Sequence, residues 1–328
     1  MKKNLKKIIT LLCTMTMLFS LLACGKQEEP TSVRVGSLKG PTSIGLVELM
    51  ERSENGETKN DYTFTMEVAA DTLLTQMVQE ELDIALVPAN VASVLYNKTE
   101  GQIVAIDVNT LGVLYMVTAD ESIENIQDLK GKTIYLTGKG TTPDYVLQYV
   151  LEENNISLDE VTLEYKSEAT EVAAVLGSEE NAVGLLPQPF VTAATTQNEN
   201  LKIVFDMNEE WNQLQGEDGS MMVTGVTVVR KAFLEEHENA VQNFLDDHKQ
   251  SAEYVNTNVD EAAALVVKAG IIEKEPIAKK AIPYCNVTFI DGEEMQNALS
   301  GYLNVLFEKD VKAVGGNLPE EDFYYIGK

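Results

Sequence analysis

Residues 33–50 read VRVGSLKGPTSIGLVELM. The β-branched, apolar run over 33–38 predicts a strand. Lys39, Gly40 and Pro41 predict a turn, and Thr42 and Ser43 are the first polar groups of a predicted helix. A strand feeding a helix in this way leaves N–H groups of the first helical turn without intrahelical partners, beside the positive end of the helix dipole. A small ligand can dock against such donors. Most strand–turn–helix junctions bind nothing, so the stretch gains meaning only if the chain repeats it.

The chain does repeat it. A predicted strand over 133–137 is followed by Gly138, Lys139, Gly140, Thr141 and Thr142, then by a helix with Tyr145, Val146, Tyr149 and Val150 at helical intervals. Thr141 or Thr142 is placed to cap that helix, and Pro143 suits its first turn. Each copy has a companion. The apolar run DIALVPAN stops at Pro88, 49 positions after Lys39, and NAVGLLPQP stops at Pro187, 48 positions after Lys139. Pro88, Ala89 and Asn90 therefore form a second loop in one lobe, and Pro187, Gln188 and Pro189 form its counterpart in the other. All four loops follow the carboxyl ends of strands, the side on which open α/β sheets bind ligands. Two facing lobes would enclose a cleft.

Between these landmarks, predicted strands alternate with predicted helices: strands over 62–68, 84–87, 111–118, 161–165 and 222–230, with QIVAIDV and LKIVFDM between them. Nearly continuous apolar strands alternating with helices define an α/β class with mixed, mostly parallel sheets covered on both faces. From Arg230 onward the chain reads as four helices without a sheet of their own, expected to return onto the first lobe. The two histidines, His237 and His248, fall on a polar helix there and are expected on its solvated face. Cys285, in AIPYCNVTF, reads as a buried small apolar group.

The amino terminus sets the expected address. Residues 1–23 combine four lysines with an apolar run over 8–23, too short and too cleanly ended for a spanning helix, which is the pattern of a secretory signal. The run closes on Leu21, Leu22, Ala23 and Cys24. Residues 24–31 are short, polar and turn-rich, as a tether would be. The whole chain carries a formal charge of −27, and without the four leader lysines it carries −31. So acidic a body has no long-range attraction for nucleic acid or for an anionic membrane surface. With Cys13 in the leader and Cys24 at its end, Cys285 alone remains, which excludes an internal disulfide and a cysteine-based metal site. No cofactor is expected.

The Leu21–Cys24 ending resembles the lipobox of bacterial lipoproteins, with Cys24 as the lipidated residue. Together with the LKGPTS loop, DIALVPAN, IQDLKGKTI, GKGTTP and TGVTVVRKAFLEEH, it makes the chain similar to the solute-binding lipoproteins of bacterial ABC importers. The nearest branch includes nitrate, sulfonate, taurine and thiamine-pyrimidine binders. The resemblance spans essentially the mature chain and rests on the order of its motifs. It implies a type II periplasmic-binding-protein fold, with lobe one over 32–115 and 226–328, lobe two over 116–225, and crossing β-segments at 111–118 and 222–229. It also implies a monomer anchored by lipid on the outer face of the cytoplasmic membrane. Its partners would be a small-molecule solute, an ABC permease and, through that, a cytoplasmic ATPase, with cleft closure around the solute.

For the solute itself the residues leave alternatives. Lys39 and Lys139 stand at helix N-termini, where a lysine opposes the dipole unless it has another role, which favours a small organic anion or an oxyanion. Thr42, Ser43, Thr141 and Thr142 can cap or contact, and Asn90 and Gln188 can face the cleft. The only arginines, Arg34, Arg52 and Arg230, lie outside the predicted cleft loops, so a bidentate arginine clamp is not expected. Tyr115 at the crossing segment, with Tyr145, Phe190 and Trp211, could instead present flat faces to a planar heterocycle, or serve as core. Enzymes on the same lobe architecture and sensory lipoproteins are the rival classes. No nucleophile elbow or P-loop supports catalysis, so the chain is not expected to be an enzyme.

Overall fold

A computed structural model describes residues 30–216 and 220–327. The leader, Cys24 and most of the tether lie outside the described residues. The described residues from 32 onward form one compact unit containing two sheets.

The first half of the chain lays down β1 (Ser32–Leu38), α1 (Pro41–Ile44), α2 (Val47–Glu54), β2 (Asp61–Glu67), α3 (Ala70–Val78), β3 (Ile84–Pro88), α4 (Ala89–Lys98) and β4 (Ile103–Leu111). After a two-residue break come β5 (Leu114–Thr118), β6 (Thr133–Thr137), α5 (Thr142–Glu153), β7 (Thr162–Lys166), α6 (Ala169–Ser178), β8 (Val183–Pro187), α7 (Phe190–Gln197), β9 (Lys202–Asp206) and α8 (Met207–Gln215). The return strand β10 (Val223–Arg230) leads to α9 (Lys231–Glu236), α10 (Glu238–Thr257), α11 (Val259–Lys268), α12 (Glu275–Ala281), β11 (Val287–Ile290) and α13 (Gly292–Lys309).

The sheets explain the sequence repeat. The six-stranded sheet has the order β11-β4-β10-β3-β1-β2, and the five-stranded sheet has the order β7-β6-β8-β5-β9. Read from the β2 and β7 edges, both run through three parallel strands, then one antiparallel strand, then a fifth. The antiparallel member is in each case the crossover: β10 lies antiparallel between β3 and β4, and β5 lies antiparallel between β8 and β9. Each lobe thus receives its fourth strand by a crossing of the chain. Apolar side chains on both faces of these strands agree with helices on both sides: β3 is buried over its first four residues and β5 throughout.

Three expectations need correction. Residues 111–118 are not one continuous strand, because pairing passes from the first sheet to the second across Gly112 and Val113. The carboxyl-terminal region is not purely helical, since β11 adds an edge strand antiparallel to β4. The long helix expected after Arg230 breaks at His237 into α9 and α10. Helices α10 and α11 pack on α2, and α13 packs on α4 and β4, while α12 also touches α7 and α13 touches α5. Cys285 is fully buried, as expected, with its thiol 3.2 Å from the Ala281 carbonyl.

Candidate functional site: a cleft between the two sheets

The strand-ending prolines fix the site. In the first sheet Pro88, the last residue of β3, pairs with Gly225 of the return crossover, and in the second Pro187, the last residue of β8, pairs with Leu114 of the outward crossover. Each parallel strand therefore stops where a crossing strand passes. A cavity of about 320 Å³ lies between these two points, within the size range of small-molecule sites. Pro88, Asn90 and Val91 line it from the first lobe, and Thr141, Thr142, Pro143 and Pro187 from the second. Val113 and Leu114 come from the outward crossover and Thr224 from the return crossover. Three other hollows are slightly larger, 350 to 440 Å³, but each is bounded by elements of one lobe. Only a site drawing on both lobes can couple binding to their relative position.

The wall is apolar with a few polar groups. The Thr224 hydroxyl is buried and has no hydrogen-bond partner. Behind Thr142 lies the fully buried Tyr302. Burial raises its phenol well above the usual tyrosine range, and the neighbouring Thr142 hydroxyl offsets part of that rise. Asn90 turns its amide toward the Ala313 carbonyl at 3.4 Å. Tyr302 packs against Trp211, and Trp211 against Tyr149 of α5, both with tilted rings. Tyr145 donates to Asp310 at 3.0 Å, and Lys309 pairs with Glu152, so α13 and its flank are bonded to the second lobe.

Of the residues expected at the site from sequence, Pro88, Asn90, Thr141, Thr142 and Pro187 line the cavity. The rest do not. Lys39 is exposed, its backbone N–H is donated to the Glu67 carbonyl at 2.7 Å, and its side chain is outside the lining. Gly40 is the N-cap of the four-residue α1, and Pro41 is its first residue. Thr42 and Ser43 do not cap that helix: their hydroxyls donate back to the Leu38 carbonyl at 2.9 and 2.6 Å. Lys139 places its ammonium 5.2 Å from the centroid of the Tyr165 ring, a cation–π contact away from the cleft lining. Gly140 donates its N–H to the Asp144 carboxylate at 2.8 Å, and Thr141 donates its hydroxyl to the Gly138 carbonyl at 2.6 Å. Ala89 is in the core. Gln188 is buried, its amide oxygen accepting from Thr192 at 2.8 Å, and Pro189, joined to it by a cis peptide bond, precedes α7.

Tyr115 belongs to the core cluster on the far side of the second sheet and donates to the Tyr284 carbonyl at 2.8 Å. Tyr145 and Trp211 are buried too, and Phe190 packs on the Tyr115 cluster. Among the described residues no aromatic ring is in the cavity lining, so a stacking platform for a planar ring is missing there. Val91, Val113, Leu114, Pro143 and Thr224 also line the cavity and are not among the contacts expected from sequence. For Thr224 the available signal was its place two residues past Met222 at the start of a crossing segment.

A buried polar chain ties strand β4 and the return crossover β10 to α10. His248 Nδ1 is 3.2 Å from Asp107 Oδ2; Thr227 donates to Asp107 Oδ1 at 2.8 Å; Asn109 donates to Thr227 at 3.2 Å and accepts from Thr110 at 2.9 Å. His248 has no exposed surface, which corrects the expectation of a solvated histidine. Its neighbours on the same helix face, Val241, Phe244, Leu245, Ser251, Ala252 and Val255, are also buried. That spacing was readable as an apolar stripe passing through position 248.

At the crossover point, Gly112 donates to Asn208 Oδ1 at 3.3 Å and accepts from Asn286 at 2.5 Å. A Cβ there would lie 2.7 Å from Asn208 Cβ and 2.9 Å from Met222 Sδ. The arginines are committed elsewhere: Arg34 and Arg230 both bond the buried Asp83, at 2.6 and 2.8 Å, and Arg52 bonds Glu48 and Asp247.

A family model described as menaquinone biosynthesis matches residues 40–308. No curated protein matches the chain. Among solved structures, an ABC transporter protein from Parabacteroides distasonis is similar at 24% identity and a TM-score of 0.76, covering 90% of this chain and 99% of that one. The periplasmic aliphatic sulphonate binding protein SsuA from Escherichia coli is similar at 14% identity and a TM-score of 0.72, covering 90% and 92%. A Candida albicans gene product described as having the generic periplasmic binding protein fold gives 14% identity and a TM-score of 0.55, covering 90% and 93%. The fold of this chain is that fold.

Proposed function

Since the chain belongs to the menaquinone biosynthesis family and has the two-lobe periplasmic-binding-protein fold, we propose that it is a solute-binding protein that delivers a small organic molecule to an ABC importer. The observation that carries this reading is the cavity at the meeting point of Pro88, Pro187 and the two crossovers. A solute there touches both lobes and both connecting strands at once, so its binding energy favours the closed arrangement. The structural likeness to sulphonate-binding and ABC-transporter proteins supports it. The basic, then apolar, leader ending in Cys24 supports an extracytoplasmic location with a lipid anchor. In that reading Cys24→Ser releases the protein from the membrane fraction.

A screen of small organic molecules by thermal shift tests the reading, because a ligand at 100 times its dissociation constant adds about 2.7 kcal/mol of stability. A cleft-dependent shift is expected. The second reading is an enzyme on the same fold, favoured by the family's description. Against chemistry in this cavity stands its lining: among the described residues it includes no histidine, cysteine, carboxylate or lysine to move a proton or attack a carbonyl. Turnover of a small molecule by purified protein, with no stable solute complex, would decide for the enzyme.

A further inference from the structure

Resting on the solute-binding reading, we propose that residues 309–314 form a clasp that sets the width of the cleft. Lys309 and Asp310 are its positioning residues, holding α5 of the second lobe against the first.

The segment stands between the two helices whose first turns line the cavity. On the first-lobe side it is bonded to α4. Asn90, itself in the lining, turns its amide to the Ala313 carbonyl at 3.4 Å; Ser93 donates to the Val314 carbonyl at 2.7 Å and Asn97 to the same carbonyl at 3.0 Å. On the second-lobe side it is bonded to α5. Tyr145, a turn beyond Thr142 of the lining, donates to Asp310 Oδ2 at 3.0 Å, and Glu152, two turns further on, pairs with Lys309. Asp310 also accepts from the Lys312 N–H at 2.9 Å, so its carboxylate is fixed to the clasp and not to α5.

The two sides differ in how readily they let go. The α4 bonds run to backbone carbonyls, and Ser93 is fully buried. The α5 bonds join side chain to side chain, with Lys309 20% and Glu152 42% exposed, so water can replace them. The clasp therefore opens on its α5 side. Behind it, Trp211 of α8 is fully buried between Tyr149 of α5 and Tyr302 of α13. Its indole N–H donates to the Ser220 carbonyl at 2.8 Å, and α13 presses on Ser220 so closely that a Cβ on Gly301 would stand 2.5 Å from Ser220 Cβ. Separating α13 from the second lobe uncovers that indole. A clasp that holds the cleft narrow before solute arrives raises apparent affinity, which scales with the competent fraction of the protein.

Exchange of the Trp211 indole proton with deuterium, followed by proton NMR on solute-free full-length protein in detergent, tests the clasp. The signal is unique because the chain has one tryptophan. Losing one hydrogen bond raises an opening equilibrium about fivefold, so Tyr145→Phe should speed indole exchange by about that factor while the slowest backbone amides keep their rates. Glu152→Lys, which sets a like charge against Lys309, should speed it too, and combining Glu152→Lys with Lys309→Glu should restore the wild-type rate. Unchanged indole exchange in Tyr145→Phe overturns the clasp. So does an acceleration shared by the slowest amides, which marks a loss of global stability. Failure of the exchanged pair to restore the rate overturns the role of Lys309. No solute enters the measurement, so these failures leave solute binding standing, and a failed solute screen sinks that reading without touching these rates.

Discussion

The Nδ1 atom of His248 lies 3.2 Å from Oδ2 of Asp107, and neither side chain has any solvent exposure. The pair links helix α10 to strand β4, and Thr227 carries the connection on to the return crossover β10. Removing the carboxylate strands two buried polar partners in a place water does not reach. Asp107→Ala should therefore lower stability by about 2 to 3 kcal/mol, the scale for leaving buried polar groups unsatisfied. Urea unfolding measures it. A loss below about 1 kcal/mol would mean that the network relaxes or hydrates.

Asp83 is held by two arginines at the far end of the same sheet. Burial pushes its carboxyl up, but hydrogen bonds from Arg34 and Arg230 outweigh that and hold it below the usual carboxylate range. A carboxyl lowered in the folded state contributes stability that is fully present above its unfolded value, about 3.9. That contribution disappears as pH falls through the lower folded value. The stability difference between wild type and Asp83→Asn should be constant from about pH 7 to pH 5 and should narrow below about pH 4. Urea midpoints across that range provide the check, and a gap that widens on acidification would contradict the assignment.

Gly225 sits opposite Pro88 at the edge of the cleft. A Cβ at this position would lie 2.4 Å from Asn109 Oδ1 and 2.6 Å from Thr42 Cγ2. Gly225→Ala should cost about 1 to 3 kcal/mol, the usual penalty for overpacking, and should also weaken solute binding because the return crossover and Pro88 beside it form part of the cleft wall. Thermal unfolding and a binding titration on the same variant separate the two effects.

Lys39 and Lys139 supply a sharper contrast. Read from sequence, each would contribute about 1 to 3 kcal/mol to an anionic solute as a charge-assisted hydrogen bond. With neither side chain in the lining, Lys39→Ala and Lys139→Ala should leave solute affinity within a factor of about two. A tenfold loss in either would return that lysine to the site.

Much of the architecture was legible because the repeat is carried by backbone-determined features. Strand-ending prolines, glycine turns and helix periodicity report on local geometry, and Pro88 and Pro187 fall where the pairing with β10 and β5 places the cleft corners. The edge strand β11 was not legible, since a four-residue run of Val287, Thr288, Phe289 and Ile290 between helices is too short to show a distinguishing period. Side-chain direction was the larger gap. Lys39 and Lys139 lie in the expected loops and Thr42 and Ser43 at the start of the expected helix, but whether such a residue turns into a cleft, onto a ring or back to a carbonyl depends on tertiary neighbours. Tyr165 takes Lys139, and the Leu38 carbonyl takes Thr42 and Ser43. Thr224 carried the opposite ambiguity, a threonine in a β-rich run that became a cleft contact because its strand crosses between lobes.

The most direct measurement is saturation-transfer NMR on a defined mixture of sulfonates, carboxylates, carboxamides, pyrimidines and flavins, with wild-type protein and with Thr142→Trp. The tryptophan places a large ring in the cavity between the lobes. Transfer to at least one compound is expected in the wild type, and its loss in the variant while the fold, followed by circular dichroism, is retained. Transfer that survives the blocked cleft, or transfer to no compound, would contradict solute binding in this cleft.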